Sequence, residues 1–376
     1  MELLSLRGHQ IKVIGFDQLW REENGSFISK RIVDKDISRF YKGSKVTFIR
    51  PLFLKIPLID CISYLFSSQI EVKRQISDFK PDVIIGFSSI ISNLWGAIYA
   101  NNEKIPYIYY WYDIVHTLNV PKLYKPIAIL LEKIIINKSS SVIVINEALK
   151  DYIINFGANP SITKVIPGGI DQERFNPERL DFDLLRCEFG FSDRDIVLFF
   201  MGWIYEFSGL DRVITELFKS GESASKIKLL IVGEGDYYPR LKALVKGYGL
   251  EDRVKLTGKR PYEDIPKLIA TSDICLLPAI DNEVMRYIVP IKMYEYLAMH
   301  KLVISTKLMG IMKEFGQHNG VIYVDRPEDI IYCVLQLDNE HVNLYQEHAK
   351  DFIKFYDWNL IVIRFENILK YLVKEK

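Results

Sequence analysis

Four cysteines in 376 residues, Cys61, Cys187, Cys275 and Cys333, are too few and too far apart for a disulfide framework, a zinc ribbon or a redox pair. They read as buried, reduced thiols. No dense run of lysine and arginine occurs and the net charge is only +1, which excludes nucleic acid as the main partner. Low-complexity tracts are absent. The first ten residues, MELLSLRGHQ, lack a long apolar stretch behind a basic end, so the sequence predicts no secretory signal and a cytoplasmic location. Long apolar runs are scarce as well. From Val83 to Ala100 no residue is charged, close to the length that spans a bilayer, yet Ser88-Ser89 and Ser92-Asn93 interrupt it with turn and cap chemistry. A buried strand, a turn and a helix account for that segment better than a membrane span.

What is present describes an ordinary globular chain: 49% hydrophobic residues, 26% charged, and a length that favours two domains over one. Charge is unevenly divided. Residues 1–170 carry 21 Lys and Arg against 15 Asp and Glu, while 171–376 carry 28 against 33. The basic half is open to two readings, contact with an anionic membrane or a phosphate-bearing acceptor, or plain surface composition.

Short apolar strands alternate with amphipathic stretches, the pattern of parallel sheets covered by helices on both faces. The first half predicts strands at Gln10–Phe16, Lys45–Ile49, Val83–Phe87, Tyr107–Trp111, Ser141–Ile145 and Thr163–Ile166. A second series follows at Ile196–Met201, Lys228–Val232, Val254–Thr257, Ile274–Leu277, Leu302–Ser305 and Val321–Tyr323. The expected fold is therefore α/β, with two Rossmann-like domains at residues 1–175 and 190–357 and a final helix, 358–376, packing back onto the first. Ligands of open parallel sheets bind beyond the strands' carboxyl ends, so chemistry is expected in a cleft between the domains.

Four segments carry the site. Pro167-Gly-Gly-Ile-Asp171, Lys228-Leu-Leu-Ile-Val-Gly-Glu-Gly235, Ser272-Asp-Ile-Cys-Leu-Leu-Pro278 and Lys292-Met-Tyr-Glu-Tyr-Leu-Ala298 follow one another in order. Gly233 and Gly235 end a hydrophobic strand where a side chain would obstruct close backbone approach, which suits a diphosphate or nucleoside, or simply a tight turn. After Pro290, Lys292 and Glu295 fall three apart on one face of a helix start, where a lysine can neutralise phosphate and a carboxylate can accept from ribose hydroxyls. A solvated Lys–Glu pair is the plainer reading.

Together these segments resemble glycosyltransferase family 4. The resemblance implies a GT-B fold, a nucleotide-sugar donor as co-substrate, transfer with retention of anomeric configuration, and no metal or other cofactor. It implies a ribose-binding role for Glu295. The residues themselves make Gly202, Trp203, Ser208 and Gly209, in the loop that follows Met201, candidate donor contacts with Gly233, Gly235, Arg260 and Lys292, and Trp203 is open to two readings, a ring stacked on the base or sugar or a buried core tryptophan. The acceptor it implies is a glycan or a lipid-linked saccharide. Two departures stand out. Tyr287 occupies the position of the family's first paired glutamate, and Trp203 and Ser208 replace its arginine and lysine. A departing diphosphate needs cations, so Lys292, Arg260 or Arg286, helped by N–H groups at Ser208 and Gly209, must supply that charge, or the chain is a non-catalytic sugar-binding or partner subunit.

In the first half, Asp113 and His116 follow a strand in Tyr110-Trp-Tyr-Asp-Ile-Val-His116 and are candidates to orient or deprotonate an acceptor hydroxyl, against a helix cap and a surface histidine. Arg50–Ser68 reads as an ordinary helix or as a segment lying on a membrane. The triplets Asp34/Asp36, Asp181/Asp183 and Asp193/Asp195 do not follow buried strands, so no metal site is assigned. Relatives begin with a strand and a glycine-rich loop, whereas Met1–Gly8 resembles the end of the following helix. The first strand is therefore expected to be missing from this chain: either the true start lies upstream, which is the favoured reading, or the domain has lost a central strand and exposes unpaired sheet edges.

Overall fold

Runs such as Ile196-Val-Leu-Phe-Phe-Met201 and Tyr107-Ile-Tyr-Tyr-Trp111 have no polar alternation, so they form stable strands only where both sheet faces are covered. Both do so here. The computed structural model describes residues 1–15, 27–56, 59–87, 90–114, 116, 124–179, 183–283 and 285–374. Each of the twelve strands read from sequence coincides with a strand of the fold, bounds shifting by at most two residues among those described. The chain divides into two units, one of residues 1–145, 150–166 and 361–376, the other of 146–149 and 167–360. Residues 167–175, placed above in the first domain, belong to the second unit: the Ile170 N–H donates to the Tyr356 carbonyl at 2.8 Å, and Phe175 is buried in that unit's core.

The second unit is built on six parallel strands in the spatial order Val254–Leu256, Ile227–Val232, Ile196–Met201, Ile274–Leu277, Leu302–Thr306 and Val321–Val324. Its first strand in sequence lies at the centre, and chain direction across the sheet reverses between Ile196–Met201 and Ile274–Leu277. Such a reversal opens a crevice at the strands' carboxyl ends. One face buries Val197, Phe199 and Leu230, the other Leu198, Phe200 and Leu229.

The first unit contains a parallel sheet, Ile84–Phe87, Tyr107–Trp111, Ser141–Val144 and Thr163–Val165, and a separate sheet in which Val46–Arg50 lies between Ile11–Ile14 and Ile32–Ile37. Ile28–Ser29 pairs with Phe53–Leu54. Among the described residues, Ile11–Ile14 and Ile84–Phe87 each pair on one side only. The strand Ile32–Ile37 escaped the sequence reading because its middle, Asp34-Lys35-Asp36, faces solvent and is bulged against its neighbour. Asp34 and Asp36 therefore lie on an edge strand rather than in a connecting loop. Asp183 opens the helix Asp183–Glu188, and Asp181 lies outside the described residues. Of the cysteines expected buried, Cys275 is buried, Cys333 half-buried and Cys187 exposed near that helix's end, while the Cys61 side chain lies outside the described residues.

The helix Ile59–Phe79 is turned the opposite way from its hydrophobic stripe. Asp60, Ser68, Glu71 and Gln75 are buried, while Ile59, Ile62, Phe66 and Ile70 are exposed, the last three by 56–60%. Glu71 explains the orientation. It accepts two bonds of 2.8 Å from Arg31 and one of 2.7 Å from Gln75, and Arg31 holds its carboxyl below the ordinary range. The C-terminal helix Trp358–Lys374 adds Glu366 to the first unit, where it accepts from Arg7 and meets His9.

Candidate functional site

The carboxyl end of Ile196–Met201 runs into Gly202, whose φ of 122° favours glycine. The next strand ends in Gly233, where a Cβ would run into the Gly202 carbonyl, so the two turns pack backbone to backbone. Gly209, at φ 69°, opens the helix Leu210–Lys219 against the Pro278 carbonyl. Together these glycines bring bare main chain to the point where the sheet changes direction.

Lys292 and Glu295 enter from the helix Ile291–Ala298, which Pro290 starts. Lys292 reaches back over the strand: its Nζ lies 4.1 Å from the Phe200 ring centroid and 3.0 Å from the place a Gly202 Cβ would occupy. Burial lowers the lysine to about 8, and the nearby Glu295 charge opposes that shift. Glu295, 5% exposed, is raised by desolvation, against the pull of a hydrogen bond from Tyr262 and of Lys292. One helix thus sends a cation to the glycine turn and, three residues on, a carboxylate to the Tyr262 hydroxyl.

Tyr262 was not read from the sequence as a site residue, nor were Arg174 and Phe175 against which it packs. Its hydroxyl donates to Glu295 Oε1 at 2.8 Å, and its ring packs near Phe175 and 5.2 Å from the Arg174 guanidinium. Asp171 fixes that support by accepting from the Glu173 and Arg174 N–H groups at 3.1 Å. The available signal was an aromatic following Gly258-Lys-Arg-Pro261, which tertiary structure alone connects to Asp171.

The remaining donor candidates divide. Trp203 is 54% exposed, with its indole N–H 3.4 Å from Asp236, so it is a surface ring rather than a core one. Gly235 backs onto the Ile204 main chain, and Arg260 is exposed. Ser208 closes a helical turn: its N–H donates to the Tyr205 carbonyl and its hydroxyl accepts from the Tyr205 N–H, which uses the N–H assigned above to phosphate. Arg286 pairs with Asp281 at 2.8 Å. Tyr287 accepts from the Asn146 amide through its carbonyl.

In the first unit, Asp113 is partly buried and desolvation raises its pKa. His116 is not a surface histidine. It is 3% exposed, with Nδ1 2.5 Å from Glu132 and Nε2 3.2 Å from the Tyr152 hydroxyl. Glu132, fully buried, also accepts from the Tyr109 hydroxyl at 2.8 Å and the Trp111 indole at 2.6 Å. Both ring nitrogens of His116 are thus engaged by side chains of the first unit's interior, which corrects its reading as a group free to deprotonate an acceptor. Among the described residues, no group of three or more His, Cys, Asp and Glu gathers as a metal site, and no helix is long and apolar enough to cross a membrane.

Residues 2–174 match the family model described as Glycosyltransferase Family 4, and residues 195–339 match Glycosyl transferases group 1. An uncharacterised glycosyltransferase of Methanocaldococcus jannaschii is 26% identical over 64% of this chain, a match that spans 61% of that relative's length. Sucrose-phosphate synthase of Thermosynechococcus elongatus superposes with a TM-score of 0.76 at 16% identity, over 100% of this chain and 92% of that one. Anabaena Alr3699/HepE, solved in complex with UDP, gives 0.70 at 20% identity over 87% and 86%. At these identities the structural likeness establishes the fold. The order of strands, the glycine turn beneath Lys292, and family matches on both halves lead to one conclusion: the chain belongs to the GT-B glycosyltransferases of family 4 type.

Proposed function

We propose that this chain transfers a hexose from a nucleotide-sugar to a glycan or a lipid-linked saccharide, with retention of configuration and without a metal or other cofactor. The observation that carries the reading is Lys292 held over Gly202, three residues from buried Glu295, at the sheet's reversal point. Glu295 accepts from the donor's ribose hydroxyls. Lys292 faces the diphosphate and stabilises the charge that gathers on it as its bond to the anomeric carbon breaks and takes the bonding pair. The acceptor oxygen bonds to the same carbon and gives its proton to Asp113. The UDP complex of the Anabaena neighbour supports a nucleotide ligand for this fold.

Lys292 also answers the loss of the family's Arg/Lys pair, since it places one cation where Trp203 and Ser208 supply none. A non-catalytic subunit would bind without turning over. Isothermal titration with UDP, GDP and ADP, followed by assays of the matching sugar conjugates for transfer or hydrolysis, separates the two. Binding with no release of diphosphate would leave only the binding role, and no binding of any nucleotide would remove the donor site.

The proposal extends to cytoplasmic use of the donor, at the inner face of a membrane. The face of Ile59–Phe79 that carries Ile62, Phe66 and Ile70, with Lys73 and Arg74 beside it, suits an anionic bilayer better than water.

A further inference from the structure

The carboxylate assigned to the donor's ribose already has a partner of the same chemistry. Tyr262 presents one hydroxyl to Glu295 Oε1 at 2.8 Å, as a ribose hydroxyl would. The phenol is aimed rather than loosely placed. Pro261 starts its short helical turn, and the ring sits 5.9 Å from that of Phe175, with the Arg174 guanidinium over it. Its other side is open: Tyr262 is 41% exposed, whereas Glu295 is 5% exposed and fixed in a helix. The tyrosine can therefore swing aside, and the carboxylate cannot.

We infer that Tyr262 caps the ribose-binding carboxylate and competes with the ribose hydroxyls of a nucleoside diphosphate for Glu295. The inference rests on the donor-site reading above and adds a residue that sets nucleotide affinity. A carboxylate oxygen that accepts from a phenol is a weaker acceptor for a second hydroxyl, so a nucleotide that uses both Glu295 oxygens must displace the phenol. Each binding event then exchanges one hydrogen bond for another, and the net affinity falls by the strength of the bond given up. Product nucleotide held less tightly would leave sooner, which suits an enzyme whose turnover waits on release.

The test is isothermal titration of the full chain and its Tyr262→Phe and Glu295→Gln variants with UDP, GDP, ADP and their 2′,3′-dideoxy analogues. For whichever base binds, Tyr262→Phe is expected to tighten the ribonucleotide about 10- to 100-fold and to leave the dideoxy analogue unchanged, which is the loss of one competing bond to a charged group. Equal tightening of the dideoxy analogue would assign the effect to ring packing and overturn the cap. Unchanged or weaker binding in Tyr262→Phe, with weaker binding in Glu295→Gln, would overturn the cap and leave the donor site standing. If Glu295→Gln binds as the unaltered chain does, or no nucleotide binds the unaltered chain, the donor-site reading falls and the cap with it.

Discussion

The Lys292 ammonium closes over Gly202 so tightly that a Cβ on the glycine would lie 3.0 Å from Nζ. The glycine at the end of one strand and the lysine at the start of a distant helix are thus one structural device, which makes room for a cation beneath the sheet's reversal point.

Replacing Gly202 by alanine tests that device. At φ 122° alanine is strained by roughly 1–3 kcal/mol, and its methyl group pushes the ammonium away. The expected outcome is a lower melting temperature together with a weaker response to nucleoside diphosphate. A variant that melts lower but binds diphosphate normally would show that the glycine serves the turn alone.

Lys292→Met should separate stability from activity. Burial lowers the lysine to about 8 against an ordinary 10.5, so the unfolded chain binds more protons between these values and stability rises with pH across that window. Below about 8 the cost of burying the charge is fully present, and methionine removes it. At pH 7 the variant is expected to melt higher than the parent while kcat falls about 100-fold or more. The parent's kcat/KM should decline as pH rises through about 8, where the free lysine loses its charge. A flat profile there would remove Lys292 from the transition state.

Asp113→Asn keeps the shape and removes the base. Transfer is expected to drop about 100- to 10,000-fold, with nucleotide affinity unchanged in titration. Full activity would return the acceptor's proton to another group.

Glu132→Ala leaves the Tyr109 hydroxyl, the Trp111 indole and His116 without their shared acceptor in the core of the first unit. Thermal unfolding should show a loss of roughly 3 kcal/mol or more. A shift near zero would mean that water reaches the three donors.

Ile62→Ser, Phe66→Ser and Ile70→Ser combined should abolish co-flotation with vesicles of phosphatidylglycerol and phosphatidylethanolamine, and leave the melting temperature nearly unchanged because the three side chains are exposed. Unaltered flotation would detach this face from the membrane.

The sequence by itself determined the strands of the two parallel sheets, because runs such as Ile196–Met201 are too apolar to be anything but covered on both faces, whereas the polar edge strand Ile32–Ile37 gave no such signal. It also determined the two-domain α/β plan and the helix start that places Lys292 and Glu295 on one side, since helical periodicity fixes that relation locally. Where a side chain's role depends on partners far along the chain, sequence could not decide it. His116 read either as a group to deprotonate an acceptor or as a surface histidine until Glu132, sixteen residues on, was found to hold it in the core. Ser208 offered an N–H to phosphate until its own turn consumed it, and Tyr262 was unremarked until the fold set its hydroxyl on Glu295. The helix Ile59–Phe79 shows the same limit most plainly. The sequence left Arg50–Ser68 as an ordinary helix or a segment lying on a membrane, and only the fold shows Glu71 paired inward with Arg31, forty residues apart, and Ile62, Phe66 and Ile70 facing outward. Periodicity is a property of neighbours, whereas burial and hydrogen bonding are settled by the residues that tertiary structure brings together.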